Sequence, residues 1–173
     1  MINPLVDKRH LKEYVLFGLA AAIVFTIPVI IFLSQNQYEN FYYLFIGSGL
    51  FMLVILYYAY KLLYRPYDKK RVMSMVIAGH LATLTGVIFS CILATICFLF
   101  FFFGNSPTVP VDRVVENVPA TIQPNQSISL LLMIYAVATI ANFSVGSFIS
   151  VVTAYAGKVN QTRNKPATLE TNL

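Results

Sequence analysis

Four stretches of this chain run for 20 residues or more without an Asp, Glu, Lys or Arg: residues 14–33, 41–60, 72–103 and 128–156. About 20 apolar residues in a helix match the ~30 Å hydrocarbon core of a bilayer. Lipid offers no partner to a bare backbone amide, and a helix satisfies those amides within the segment itself. The pattern predicts an all-α integral membrane protein with four transmembrane helices over those four ranges.

Composition agrees. Hydrophobic residues make up 58% of the chain and charged residues only 11%, with a mean hydropathy of +0.71. A soluble domain carries about a quarter charged residues. The deficit is what lipid demands, because a charge at mid-bilayer costs about 2.5–3.5 kcal/mol or more. The 173 residues then hold one transmembrane domain over 1–157, with an external loop at 104–127. A polar tail at 158–173, poor in apolar side chains, is expected to be disordered.

Charge placement predicts an orientation. Eleven of the 12 Lys and Arg residues lie in three places: Lys8, Arg9 and Lys12; Lys61, Arg65, Lys69, Lys70 and Arg71; and Lys158, Arg163 and Lys165. The other two connections hold only Arg113. Basic residues flanking spans stay on the cytoplasmic side, so both termini are expected inside and the four helices form an antiparallel bundle. The net charge of +5 reflects this anchoring. It points to anionic inner-leaflet lipid, not nucleic acid, as the electrostatic partner. The expected location is a plasma or inner membrane. A cleaved signal peptide fits the first run poorly, since its apolar region is too long and Phe32-Leu33-Ser34 is a weak cleavage site. Tyrosines 38, 42 and 43 at one end of the second run, and 57, 58, 60, 64 and 67 at the other, form an interfacial belt without Trp.

Local signals subdivide the spans. Pro28 is expected to kink the first helix. Gly47-Ser48-Gly49 either loosens the second or admits a neighbour. Gly104 and Gly157 are natural stops for the third and fourth helices. Pro107, Pro110, Pro119 and Pro124 exclude a continuous helix across the external loop, where Asn125-Gln126-Ser127 fits the glycosylation sequon.

Small residues define packing faces. In the third helix Gly79, Thr83, Gly86, Ser90 and Ala94 fall in one narrow stripe at 100° per residue. In the fourth, Ala138, Asn142, Gly146, Ser150 and Ala154 form a row spaced by four. Lipid provides no hydrophobic drive between helices, so small residues mark where backbones approach. Helices three and four are expected to meet along these rows.

Two polar residues stand out. His80 is the one ionisable side chain other than Cys and Tyr inside the runs, and an intramembrane ionisable group is a functional hypothesis by default. The structural alternative is a neutral imidazole bonded to a backbone carbonyl. Asn142 sits mid-run, with Tyr135 and Thr153 within about 20° of it around an ideal helix. That line suggests an interhelical hydrogen bond worth roughly 0.6 kcal/mol, or a ligand contact. Catalysis needs more than these residues supply. No nucleophile–base pair, metal-ligand cluster, second intramembrane His or buried carboxylate is visible, and Cys91 and Cys97 are too differently directed to bridge. No cofactor is implied. The expectation is a non-catalytic accessory, scaffold or assembly subunit, acting on a membrane protein partner or on copies of itself. The alternative is an oligomeric transporter or channel lined by His80, Asn142 and Tyr135.

Overall fold

The computed structural model describes residues 8–35, 38–64, 72–103 and 126–163, all of them helical. Helix α1 spans Lys8–Gln35, and a 3-10 turn at Tyr38–Phe41 leads into α2, Tyr42–Tyr64. Helix α3 is Val72–Phe103. The fourth span has three parts: α4 at Gln126–Ala136, a π-helical turn at Val137–Ala141, and α5 at Asn142–Arg163. All four spans are long and apolar enough to cross a membrane: Leu11–Gln35, Glu39–Leu63, Met73–Phe101 and Leu130–Gly157. The shortest, at 25 residues, reaches about 37 Å at 1.5 Å per residue.

Helix limits run past expectation at several ends: α2 continues to Tyr64 rather than stopping near residue 60, and the fourth span opens at Gln126 rather than 128. Helix α1 begins at Lys8 rather than near residue 14. The last helix does not stop at Gly157 but continues to Arg163, so residues 158–163 of the expected disordered tail are helical. A glycine inside a helix costs only about 1 kcal/mol, and Gly157 has a packing reason to be there. A Cβ at this position would run into Leu63 Cδ1 of α2 and approach Met75 Cε of α3. The remainder of the tail lies outside the described residues. So do the connection bearing Arg65 to Arg71, the proline-rich external loop and Asn125 of the sequon.

Helices α1 and α5 each pack along both α2 and α3, while α2 and α3 touch each other more lightly. Among the described residues, α1 and α5 are therefore separated by the α2–α3 pair. Paired contacts give the relative directions. Phe17 of α1 stacks obliquely on Tyr58 of α2 at 4.9 Å between ring centres, and Gly47 of α2 faces Phe25 of α1. These two helices run oppositely. Gly79 of α3 faces Ser150 of α5, and Thr83 faces Gly146, so that pair is also opposed. The start of α1, the end of α2, the start of α3 and the end of α5 thus share one end. There Lys61 Nζ lies 5.1 Å from the centre of the Phe17 ring, a cation–π distance.

The interior is aromatic and aliphatic. Phe25, Phe32, Phe51, Tyr58, Ile55 and Ile134 are essentially fully buried. Outward positions carry large apolar side chains, among them Leu16, Ile27, Leu53, Ile88, Ile140 and Phe148. A soluble protein hides such residues from water, and monomers rarely expose large contiguous apolar patches. Helices apolar all round suit lipid.

Candidate functional site

The seam between α3 and the fourth span carries the polar residues singled out from sequence, His80, Tyr135 and Asn142. Toward the basic end it is built from small groups. A Cβ on Gly79 would collide with Ser150 Oγ, and one on Gly146 with Thr83 Cγ2. Glycine here lets each helix seat the other's hydroxyl side chain against its backbone. The hydroxyls themselves turn inward to their own helices. Thr83 Oγ1 donates to Gly79 O at 2.9 Å, and Ser150 Oγ donates to Gly146 O at 2.7 Å. The same bond to the carbonyl four residues back is made by Thr26, Ser48, Thr85, Thr95, Thr139 and Thr153. With no water in a hydrocarbon core, this bond is the local way to satisfy an O–H.

Gly86 departs from the expected pattern. It shares the stripe with Gly79 and Thr83 but does not face the fourth span. A Cβ there would meet Phe51 Cε2 of α2 at 2.7 Å and Gly18 O of α1 at 3.2 Å. Gly18 answers it, since its own Cβ would lie 2.8 Å from Ala82 O and 2.9 Å from Gly86 N. One stripe therefore serves three neighbours. Helix α5 takes the Gly79–Thr83 edge, α1 takes the Ala82–Gly86 edge, and the Phe51 ring reaches in between. Gly18 was not singled out from sequence. It is a lone glycine in its run, with Ala21 and Ala22 three and four positions on but no small residue three or four positions back. Ser90 and Ala94, further along the stripe, are buried, as are Ala138 and Ala154 of the fourth-span row.

The three polar positions do not converge on one site. The half-buried His80 imidazole bonds through Nδ1 to Val76 O at 2.9 Å. A carbonyl only accepts, so Nδ1 carries the proton. The ring lies edge-on to Phe143 of α5, with centres 6.4 Å apart. Tyr135 meets Thr95 across the seam in a short hydrogen bond. Thr95 already donates to Cys91 O, so the tyrosine O–H is the donor in that pair. Thr95 is fifteen residues along α3 from His80, roughly 22 Å at helical rise. The two contacts are separate stations along the span.

Asn142 lies between them, 0% exposed. Neither its Oδ1 nor its Nδ2 has a hydrogen-bond partner among the described residues. The interhelical bond expected of it is absent, and the expected line is broken at Tyr135; Thr153, on the same helix as Asn142, keeps its phase and donates to Ile149 O. The cause is the π turn at Val137–Ala141. An i→i+5 turn holds one residue more than an α turn, and one extra residue rotates the following faces by about 100°. Tyr135 and Asn142 thus fall out of phase. The Asn142 backbone N–H goes to Val137 O and Thr139 O, which marks the change of helix type at this residue. A buried amide without partners costs about 1–3 kcal/mol. Periodicity could not locate the π turn, since Val-Ala-Thr-Ile-Ala reads as ordinary helix.

On the outer side of the seam, Val87, Thr139, Ile140, Phe143 and Ser144 line an open cleft of about 390 Å³. Cys91 and Cys97 are free and half-buried. Among the described residues no group of three or more His, Cys, Asp or Glu side chains is placed to hold a metal ion. Compared with models of protein families, with curated proteins and with solved structures, the chain shows no match.

Proposed function

We propose that this protein is a non-catalytic integral membrane protein, an accessory, scaffold or assembly subunit that works through helix packing. Its four spans form an antiparallel bundle in the plasma or inner membrane with both termini cytoplasmic. The carrying observation is the separation of the polar groups. His80 is bonded to its own helix, Tyr135 is tied to Thr95, and Asn142 is sealed inside. A reacting or transported molecule needs convergent groups, whereas here the outer surface is left to apolar side chains. That surface suits lipid, a partner's transmembrane helices or a second copy. The shared end holding Lys61, with the other basic clusters near it in sequence, favours anionic inner-leaflet lipid.

Native mass measurement after mild extraction tests the role. The expected result is a defined complex heavier than the 19.4 kDa chain, without ion or proton flux when reconstituted. Selective flux in vesicles would favour the competing reading, an oligomeric transporter or channel using His80, Asn142 and Tyr135. That reading draws on the buried Asn142 amide beside a π turn, a feature frequent at functional sites. Orientation is tested by single cysteines in a background lacking Cys91 and Cys97. Positions Gln37 and Asn117 should react with impermeant thiol reagents from outside intact cells. Labelling at Asp68 instead would reverse the topology.

A further inference from the structure

We propose that Asn142, with Ser90 beside it, binds one ordered water molecule inside the membrane-spanning core. Asn142 is 0% exposed, and its donor and its acceptor both lack a partner among the described residues. Ser90 Oγ, also on a 0% exposed residue, lacks one as well. The register of the seam places the two at neighbouring levels of the interface between α3 and the fourth span. Gly79 faces Ser150 and Thr83 faces Gly146, so four residues forward on α3 correspond to four back on the fourth span. The next step opposes Val87 to Asn142. Ser90 is three residues beyond Val87, about 4.5 Å along the axis, and shares the face of Thr83 to within about 20°. Ser147 Oγ is likewise buried without a partner, but it lies about 140° around α5 from Asn142 and belongs to another surface.

The unsatisfied groups define the ligand. A primary amide with both ends free needs a partner that donates and accepts at once. A cation would answer Oδ1 and be repelled by the Nδ2 hydrogens, and an anion would do the reverse. A second copy of the chain cannot reach a side chain with no exposed surface. Water fits: it accepts from Nδ2–H, donates to Oδ1 of the same amide, and directs its other O–H to Ser90 Oγ. That makes three hydrogen bonds, the usual number for a buried water. The π turn contributes by changing the phase of Asn142 relative to the residues before it. The proposal is independent of the accessory role and stands or falls on hydration alone.

Two measurements on the full chain in lipid nanodiscs test it. In wild-type protein with labelled asparagine, the Asn142 side-chain amide should show magnetisation transfer from a bound water. The infrared difference between H2(16)O and H2(18)O samples should contain a sharp O–H band from a non-bulk water. Asn142→Leu, similar in branching but apolar, should abolish that band while far-ultraviolet circular dichroism stays helical. Ser90→Ala removes a single oxygen and should speed exchange of the water about five- to tenfold, the worth of one ordinary hydrogen bond. An Asn142 amide coupled to a protein acceptor and not to water would overturn the proposal. So would a band that survives Asn142→Leu unchanged. If that variant does not fold, the wild-type transfer and the Ser90→Ala exchange rate decide alone.

Discussion

Toward the basic end, the seam between α3 and the fourth span pairs glycine with hydroxyl side chains. Gly79 takes Ser150, Gly146 takes Thr83, and each hydroxyl closes on its own backbone. Beyond Gly86 the same seam changes character. Tyr135 reaches across to Thr95, a π turn interrupts the helix, and Asn142 is buried without a partner among the described residues. In the first half backbone proximity holds the helices and polar atoms are self-contained. In the second, a side-chain hydrogen bond joins Tyr135 to Thr95 across the seam, and the Asn142 amide has no partner among the described residues. Close approach and polar bridging thus occupy different levels of one interface.

The comparison breaks first at its tightest point. Gly146→Leu or Gly79→Leu inserts a branched side chain where even a Cβ has no room, and overpacking costs about 1–3 kcal/mol or more. Either variant should shift the detergent-unfolding midpoint strongly, or fail to assemble. Gly49→Leu is the matched control, since a Cβ there meets nothing within 4 Å, and Leu53→Ile at an exposed position is another. Both should stay within about 0.5 kcal/mol of wild type, as surface changes usually do. Equal tolerance of all four would mean that this half of the seam is not a packing interface.

A smaller effect is expected in the polar half. Tyr135→Phe deletes the bridging O–H but leaves Thr95 bonded to Cys91 O. Interhelical hydrogen bonds in membranes average about 0.6 kcal/mol, with a maximum near 1.7, so unfolding should be only slightly easier. A double-mutant cycle with Thr95→Val isolates the pair. A coupling energy indistinguishable from zero would show that this half, too, is held by packing.

His80→Gln should have the least effect. Glutamine keeps a donor for the Val76 carbonyl and an acceptor besides, so the variant should fold, insert and assemble like wild type. This change separates the two functional readings most cleanly. A well-folded Gln variant that loses flux while keeping its assembly would place His80 in a transport mechanism.

Sequence reasoning reached the helices because lipid imposes them. An uncharged run of that length has few other forms, and Val72–Phe103 is helical over the whole of its apolar run. Glycine as a helix stop succeeds at one end and fails at another: α3 ends at Phe103, just before Gly104, whereas the last helix runs through Gly157 to Arg163. Gly157 continues the helix because Leu63 fills the space beside it, a fact that resides in α2. Faces were partly readable. The four-residue row of the fourth span points inward throughout, but the α3 stripe was assigned to one neighbour and meets three. Periodicity gives the direction in which a side chain leaves its helix. It does not give the identity of what waits there.

Some of this protein was decided by sequence alone: four helices long and apolar enough to span a bilayer, with charge kept out of their apolar runs. Those properties are local, since they follow from the cost of exposing backbone or charge to hydrocarbon, residue by residue. Tertiary structure decided that α2 and α3 separate α1 from α5, and that Gly18 and Gly86 form a backbone contact. It also decided that Asn142 faces away from Tyr135. These are collective outcomes, because each depends on how several helices share a small volume, and a single inserted π turn is enough to redirect every face beyond it.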